Sequence, residues 1–327
     1  MNITPKKILI IRFSSIGDIV LCSPIVRCLK QKFPSAELCF LTKEMYKDLV
    51  IHNQNLTKVF ELNEEIYETI AQLKLAQFDL VIDLHNSIRS RFICANLGIE
   101  SVHYKKGNLH KFSLIYLKKS PFTSFHVVDR YFEAIDELGV KNDGNGLDFF
   151  IDKSNEQKLK SQFDALNKHF AVLVLGANYF TKMIPKNKLE EIVKRISVPI
   201  VLLGGKSEIT LANELSLKYL NISNQVGKTD LLESAIWIKH ANFIITPDTG
   251  MMHIAAAFKK KIYVVWGSTV TEFGFWPYYG KNYENKAINF FVPNLSCRPC
   301  HRMGSEVCPK GHFKCMNDQD FGITVFD

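Results

Sequence analysis

The residues Asp248-Thr249-Gly250-Met251-Met252-His253 stand between an apolar run, Phe243 to Thr246, and a helix-favouring run, Ile254 to Ala257. A buried strand that turns directly into a helix leaves the first-turn N–H groups without intrahelical partners at the positive end of the dipole. This makes an anion site. Gly250 lets a phosphate come close to the backbone, and Thr249 and His253 can add side-chain donors. Asp248 would repel a phosphate, so it is expected to cap the turn or to accept a sugar hydroxyl. A helix cap at Asp248 or Thr249 and a satisfied, half-buried His253 is the purely structural alternative.

Three further stretches carry groups of the same kind. Gly176 to Lys182 follows a strand-like run and offers a glycine, the Thr181 hydroxyl and the Lys182 ammonium, a phosphate grip unless both side chains are simply exposed. Gly204-Gly205 closes another run and either frees the backbone for a ligand or only permits a tight turn. His85 to Arg91 follows a predicted strand, where ligands of open α/β sheets bind, and Arg89 and Arg91 can hold a carboxylate or phosphate or form a solvated helix start.

Positioning these stretches is the task of strand-like runs that alternate with helical ones. In the first half they are Lys7 to Arg12, Glu37 to Thr42, Lys58 to Leu62, Asp79 to Leu84 and Ser101 to Tyr104. In the second they are Phe170 to Gly176, Pro199 to Gly205, a run near Val226, Phe243 to Thr246, Lys261 to Gly267 and Ala287 to Val292. The alternation predicts α/β structure with parallel sheets. A turn-rich break at Lys141 to Gly146 and a polar helix over Asp152 to Lys168 place a boundary near 165, giving Rossmann-like domains over 1–165 and 166–327 with a cleft between them. The first strand-loop-helix unit has only Gly17 in place of GxGxxG, which disfavours a nicotinamide or flavin dinucleotide.

The 327 residues are 46% hydrophobic and 23% charged, enough for two cores, and 41 Lys and Arg against 33 Asp and Glu give a net charge of +8. That balance suits an anionic partner. The first apolar run is broken by Arg12, Ser14 and Ser15, so neither a secretory signal nor a membrane span is read and a cytoplasmic location is expected. Residues 103 to 120 mix His103, Tyr104, Lys105, Lys106, Lys111, Phe112, Tyr116 and Lys118. Such a segment can lie on an anionic membrane surface, grip an acidic acceptor or be ordinary exposed chain. Eight cysteines in a reducing compartment read as thiols or metal ligands. Cys297, Cys300, Cys308 and Cys315 are candidates for a structural zinc, for free thiols or for a disulfide.

Taken together and in this order, these residues resemble glycosyltransferase family 9, the ADP-heptose:lipopolysaccharide heptosyltransferases. The resemblance rests on Arg12-Phe13-Ser14-Ser15-Ile16-Gly17-Asp18, Asp79 to Ser90, His126-Val127-Val128-Asp129-Arg130, Thr181-Lys182 and above all Asp248 to Ala257. It implies a GT-B architecture and inverting transfer from a nucleotide-sugar donor, ADP-heptose, to a lipid A–core acceptor at the cytoplasmic face of the inner membrane, in peripheral contact with it. It further implies Asp18 as general base and Thr181, Lys182, Gly204, Asp248, Thr249, Gly250 and His253 as donor residues. Ser15, Gly17, Arg89, Arg91 and Arg130 are expected on the acceptor side. No cofactor or catalytic metal is expected, since Lys182 and a helix N-terminus can stabilise a leaving diphosphate. A nucleic acid is not expected as partner. Asp18 as a helix cap, another sugar from another nucleotide donor passed to a surface glycan, and a nucleotide-sugar 2-epimerase remain the alternatives.

Overall fold

The computed structural model describes residues 4–119, 125–166 and 169–327. The chain divides into two compact units. One holds Met1–Gly107, Phe125–Phe150 and Gly280–Tyr283; the other holds Asn108–Ser124, Ile151–Tyr279 and Glu284–Asp327.

The first unit is built on a five-stranded parallel sheet of β1 (Lys7–Ile11), β2 (Glu37–Thr42), β3 (Lys58–Glu61), β4 (Leu80–Asp83) and β5 (Glu100–His103), in the order β3-β2-β1-β4-β5. Ile8 to Ile11 and Leu80 to Ile82 are fully buried, as strands covered by helices on both faces must be. The helical run after β1 splits in two, Ile16–Val20 and Ser23–Lys32. Pro24 lies in the first turn of the second piece, where its missing N–H costs nothing but where it cannot continue a preceding helix.

The second unit carries six parallel strands, β6 (Ala171–Val174), β7 (Ile200–Leu203), β8 (Ile222–Asn224), β9 (Phe243–Pro247), β10 (Lys261–Val265) and β11 (Ala287–Phe290), in the order β11-β10-β9-β6-β7-β8. Its core gathers Leu173, Ile245 and Val265 with Phe321 and Phe326 from the C-terminal tail.

The division departs from a single cut at 165, for identifiable reasons. Arg27 donates to both carboxylate oxygens of Asp143 (2.7 and 2.9 Å), to the Gly146 carbonyl (2.8 Å) and to Asp148, which ties the turn at 141–146 to the first unit. Asn282 joins it there by donating to the Asp143 carbonyl at 3.0 Å. The polar helix expected over 152–168 is two short helices, Lys153–Lys158 and Lys160–Ala165, and both belong to the second unit. Asn167 and Lys168, and Ser120 of the basic segment, lie outside the described residues. The run expected near Val226 is paired earlier, at Ile222–Asn224, where two of three residues are polar and the apolar signal is correspondingly weak. Among the described residues no helix is long and apolar enough to cross a membrane.

Candidate functional site

In each sheet the strand order reverses once, and open α/β sheets bind ligands at the carboxyl ends of the strands flanking that reversal. In the first unit the reversal lies between β1 and β4, whose C-terminal ends lead into Arg12 to Asp18 and Leu84 to Arg91. In the second it lies between β9 and β6, which lead into Asp248 to His253 and Gly176 to Lys182. Three of the stretches singled out for chemistry, together with the Arg12 to Asp18 motif, therefore occupy the two reversal points, while Gly204-Gly205 follows β7, the next strand beyond β6.

At the first point Asp18 is the third residue of the helix Ile16–Val20, and Ser15 is the N-cap. The alternative reading of Asp18 as the helix cap is not met, since the helix begins ahead of Gly17 and Ser15 takes that position. Asp18 Oδ2 accepts from the Ser15 hydroxyl (3.0 Å) and the Ser15 N–H (3.3 Å), while Oδ1 pairs with Arg12 at 2.7 Å. Sequence reasoning set Arg12 at the end of a strand and at the head of the Arg12 to Asp18 motif, without a role of its own. Its side chain is almost wholly buried and it also donates to the carbonyls of Ser14 (2.7 Å) and Leu84 (2.5 Å), so one guanidinium joins the loops after β1 and β4. Burial pushes the Asp18 carboxyl up, but Arg12 and the two Ser15 bonds outweigh it and hold it below the usual carboxylate range. His85, its ring tilted against Phe13 with centroids 4.7 Å apart, is pushed down to about 4 by burial and by the charges of Arg12 and Lys106, and is neutral at pH 7.

Beside this loop, Asp83 ends β4 fully buried. It accepts from the backbone N–H groups of His85 (3.0 Å) and Asn86 (2.7 Å) and from the Ser90 hydroxyl (2.9 Å), with His103 Nδ1 at 3.3 Å. This network fixes the start of the helix Ile88–Leu97. Arg89 and Arg91 are exposed in its first turns, and two residues apart they project on different faces. Both stand at the positive end of the helix dipole, which costs a few tenths of a kcal/mol each, about the magnitude a functional demand easily outweighs. Arg130 is placed differently: it is 9% exposed, donates to the Lys106 carbonyl at 3.1 Å and lies over the Tyr104 ring, so it braces the loop after β5.

At the second point Thr249 is the N-cap of the helix Gly250–Ala257, and Thr249, Gly250 and Met251 are partly exposed. Asp248 does not cap. Its carboxylate pairs with Lys182 Nζ at 2.7 Å and accepts from the Thr269 hydroxyl at 2.7 Å. Burial raises its proton affinity, and Lys182, Thr269 and the nearby His253 more than reverse this, so it too stays ionised. The Lys182 ammonium is therefore already held by a carboxylate from a distant loop, in a largely buried pair.

Thr181 needs a correction. It is 1% exposed, and its hydroxyl donates to the Ser305 carbonyl (3.0 Å) while accepting from the Ser305 N–H (2.8 Å) and the Ser268 hydroxyl (3.0 Å). Its hydrogen-bonding capacity is thus spent on the tail and on the loop after β10. Gly267 permits this closeness, since a Cβ there would stand 2.5 Å from the Thr181 carbonyl oxygen. Gly204 closes β7 beside Glu208, a buried carboxylate that the sequence reading missed. Glu208 accepts from the Gly205 N–H at 2.7 Å and lies so close to Gly176 that a Cβ there would meet its Oε2 at 2.6 Å.

The cysteine tail serves this unit. Arg298 donates to the carbonyls of Gly267 (2.8 Å) and Thr269 (2.9 Å), and Ser305 holds Thr181. All eight cysteines are free thiols. Cys297 Sγ lies 3.9 Å from His312 Nε2, and burial pushes the Cys315 thiol up to about 12. Among the described residues the tail does not bring three ligand atoms within 4.8 Å of one another; the group that does so is Asp83, Cys94 and His103, where the carboxylate is already filled by N–H and O–H donors.

The family model for glycosyltransferase family 9 (heptosyltransferase) matches residues 66–310. The chain is similar to "Lipopolysaccharide heptosyltransferase 3" of Escherichia coli (strain K12), with 24% identity over 313 residues covering 86% of this chain and 87% of that protein. Among solved structures it is similar in fold to a glycosyl transferase family 9 protein from Veillonella parvula DSM 2008 (TM-score 0.72, 16% identity, 87% and 86% of the two chains). It is likewise similar to E. coli ADP-heptose LPS heptosyltransferase II (TM-score 0.69, 18% identity, 95% and 98% of the two chains). The fold is accordingly the GT-B type of these proteins, with Rossmann-like α/β units. By the extent of the family match, the reversal-point loops and the fold, this chain is a glycosyltransferase and belongs to glycosyltransferase family 9.

Proposed function

We propose that the protein transfers a heptose from ADP-heptose to a lipid A–core acceptor with inversion at the anomeric carbon, Asp18 acting as general base. The observation that carries this reading is the pairing of each reversal point with one half of the chemistry. The first unit presents a carboxylate kept ionised by Arg12. The second presents a helix N-terminus at Thr249 and Gly250 beside the Lys182–Asp248 pair.

Inverting displacement needs a base to take the acceptor hydroxyl proton as that oxygen attacks the anomeric carbon, and a fixed positive field where the diphosphate departs. Asp18 is suited to the first task because its Arg12 and Ser15 bonds hold its orientation. Ser15 and Gly17 lie on the same loop and would border the acceptor. Lys182, the helix dipole and His253 are suited to the second. The carboxylate oxygens of Glu208, in the loop after Gly204, and of Asp248 suit sugar hydroxyls. Transfer by this scheme brings the acceptor on one unit to the donor on the other and excludes water that would hydrolyse the donor. A lipid-anchored acceptor would also bring the enzyme to the cytoplasmic face of the inner membrane.

Arg89 is the arginine placed to meet an acceptor anion from the helix start. Arg89→Ala is expected to raise the acceptor KM about tenfold with the donor KM unchanged; equal effects on both in steady-state kinetics would remove it from the acceptor side.

The nucleotide is tested by thermal shift with ADP, UDP, GDP and CMP, since a ligand that binds only the folded state raises its melting temperature according to affinity. A rise with ADP alone is expected. A rise with another nucleotide instead would transfer the mechanism to a different donor sugar, and no rise with any would overturn the donor site.

A further inference from the structure

The stretch Asn108–Leu117 folds as about two helical turns, Asn108–Phe112 followed by a wider-pitched Ser113–Leu117, and its polarity is reversed. The polar side chains face the protein. His110 Nε2 lies 2.9 Å from the Glu272 carbonyl oxygen, the Lys111 ammonium stands over the Phe275 ring, and Lys118, just beyond, donates to the carbonyls of Pro299 (2.7 Å) and Cys297 (3.2 Å). The apolar side chains face solvent: Leu109 is 75% exposed, Phe112 56%, Tyr116 68% and Leu117 67%. Leu109, Phe112 and Tyr116 recur at i, i+3 and i+7, so they form one stripe, and the Phe112 and Tyr116 rings touch with centroids 4.5 Å apart. A helix on a soluble protein ordinarily wears the opposite pattern.

The charge around the stripe indicates its occupant. From Ser101 to Val128 the sequence contains five lysines and no Asp or Glu. Lys119 is exposed just beyond the helix. Apolar rings beside a lysine, in a stretch free of acidic residues, match the two layers of an anionic bilayer surface, acyl chains beneath and phosphates above. Single exposed apolar residues are common, but four together on one short helix, pinned by three cationic or imidazole side chains, are not explained by packing among the described residues.

We propose that Asn108–Leu117 is a membrane-docking helix that inserts Leu109, Phe112 and Tyr116 below the headgroups of an anionic lipid surface. It would hold the second unit at the membrane. The inference deepens the proposed function by naming the surface on which it acts, but vesicle binding needs neither donor nor acceptor, so the two can fail separately.

The test is co-sedimentation of the full chain with vesicles of phosphatidylethanolamine and phosphatidylglycerol, and with vesicles of phosphatidylcholine alone. The wild type is expected to bind the first and not the second. A Leu109→Ser, Phe112→Ser, Tyr116→Ser variant is expected to bind about tenfold or more weakly, with an unchanged melting temperature and an unchanged thermal shift with ADP. As an independent readout, Phe112→Trp should show a blue-shifted emission on the phosphatidylglycerol vesicles and quenching by brominated acyl chains. Unaltered partitioning of the triple variant, or no added blue-shifted, quenchable emission in Phe112→Trp relative to the wild type, would overturn the proposal. So would loss of self-association by the triple variant in sedimentation velocity without vesicle binding by the wild type, since the stripe would then cover a second copy.

Discussion

Asp18→Asn is expected to lower the rate of glycosyl transfer about 10³-fold, the middle of the range for losing a positioned general base, while ADP binding measured by calorimetry is unchanged. The separation follows from the structure, because Asp18 sits in the helix that follows β1 in the first unit and the donor-side residues all belong to the second. The amide keeps the shape of the carboxylate but leaves Arg12 without its counter-charge. Because the two side chains are 9% and 20% exposed, the loss of stability should fall between that of a surface pair and a buried one, about 1–3 kcal/mol. Such a loss leaves a folded protein in which to measure turnover. The wild-type pH profile gives a second handle. Since Arg12 and Ser15 hold the Asp18 carboxyl below its ordinary value of about 4, kcat/KM should show no acid limb from this group between about pH 8 and 5. Turnover retained by Asp18→Asn would remove Asp18 as the base.

Lys182→Met should lower kcat about 10²–10³-fold and weaken donor binding, as expected for loss of a fixed charge at a departing diphosphate. The Lys182–Asp248 pair makes a sharper version possible. If Lys182 does no more than neutralise Asp248, then Lys182→Met combined with Asp248→Asn removes both charges and restores activity. If Lys182 also faces the diphosphate, the double variant stays impaired although it regains the stability lost by the single one. The second result is expected, read as kcat and melting temperature of all four proteins. Asp18 and Asp248 also contribute to the response to acid. Both Asp18 and Asp248 are held below their ordinary range, so each contributes stability that is complete above about pH 4 and is lost as the pH falls through its folded value.

What the sequence disclosed and what it concealed divide along a physical line. Strands such as β1, β4 and β9 are continuous apolar runs because helices cover both faces of their sheets, and that local signal needs no knowledge of the rest of the chain. β8 has no such run and slipped by several residues. The loops after β1, β4, β6 and β9 were legible as chemistry because turn residues and polar groups interrupt apolar runs there. Their partners were not. Arg12 reaches Asp18 and the Leu84 carbonyl. Lys182 finds Asp248, and Thr181 is consumed by Ser305, 124 residues on. No periodicity or composition encodes a pairing at such separation. Glu208 escaped notice for the same reason, its role set by the glycines of two other segments coming close to it. The reversed helix Asn108–Leu117 was visible as a basic and aromatic mixture, but only the contacts of His110, Lys111 and Lys118 establish which side faces out.

The central claim, heptosyl transfer with Asp18 as base, is tested most directly by incubating the protein with ADP-heptose and a lipid A–core acceptor and following the product by mass spectrometry and NMR. The account predicts the addition of one heptose per acceptor, release of one ADP per product, inversion at the anomeric carbon, and product formed about 10³-fold more slowly with Asp18→Asn. Release of ADP without a glycosylated acceptor, or product of retained configuration, would contradict it.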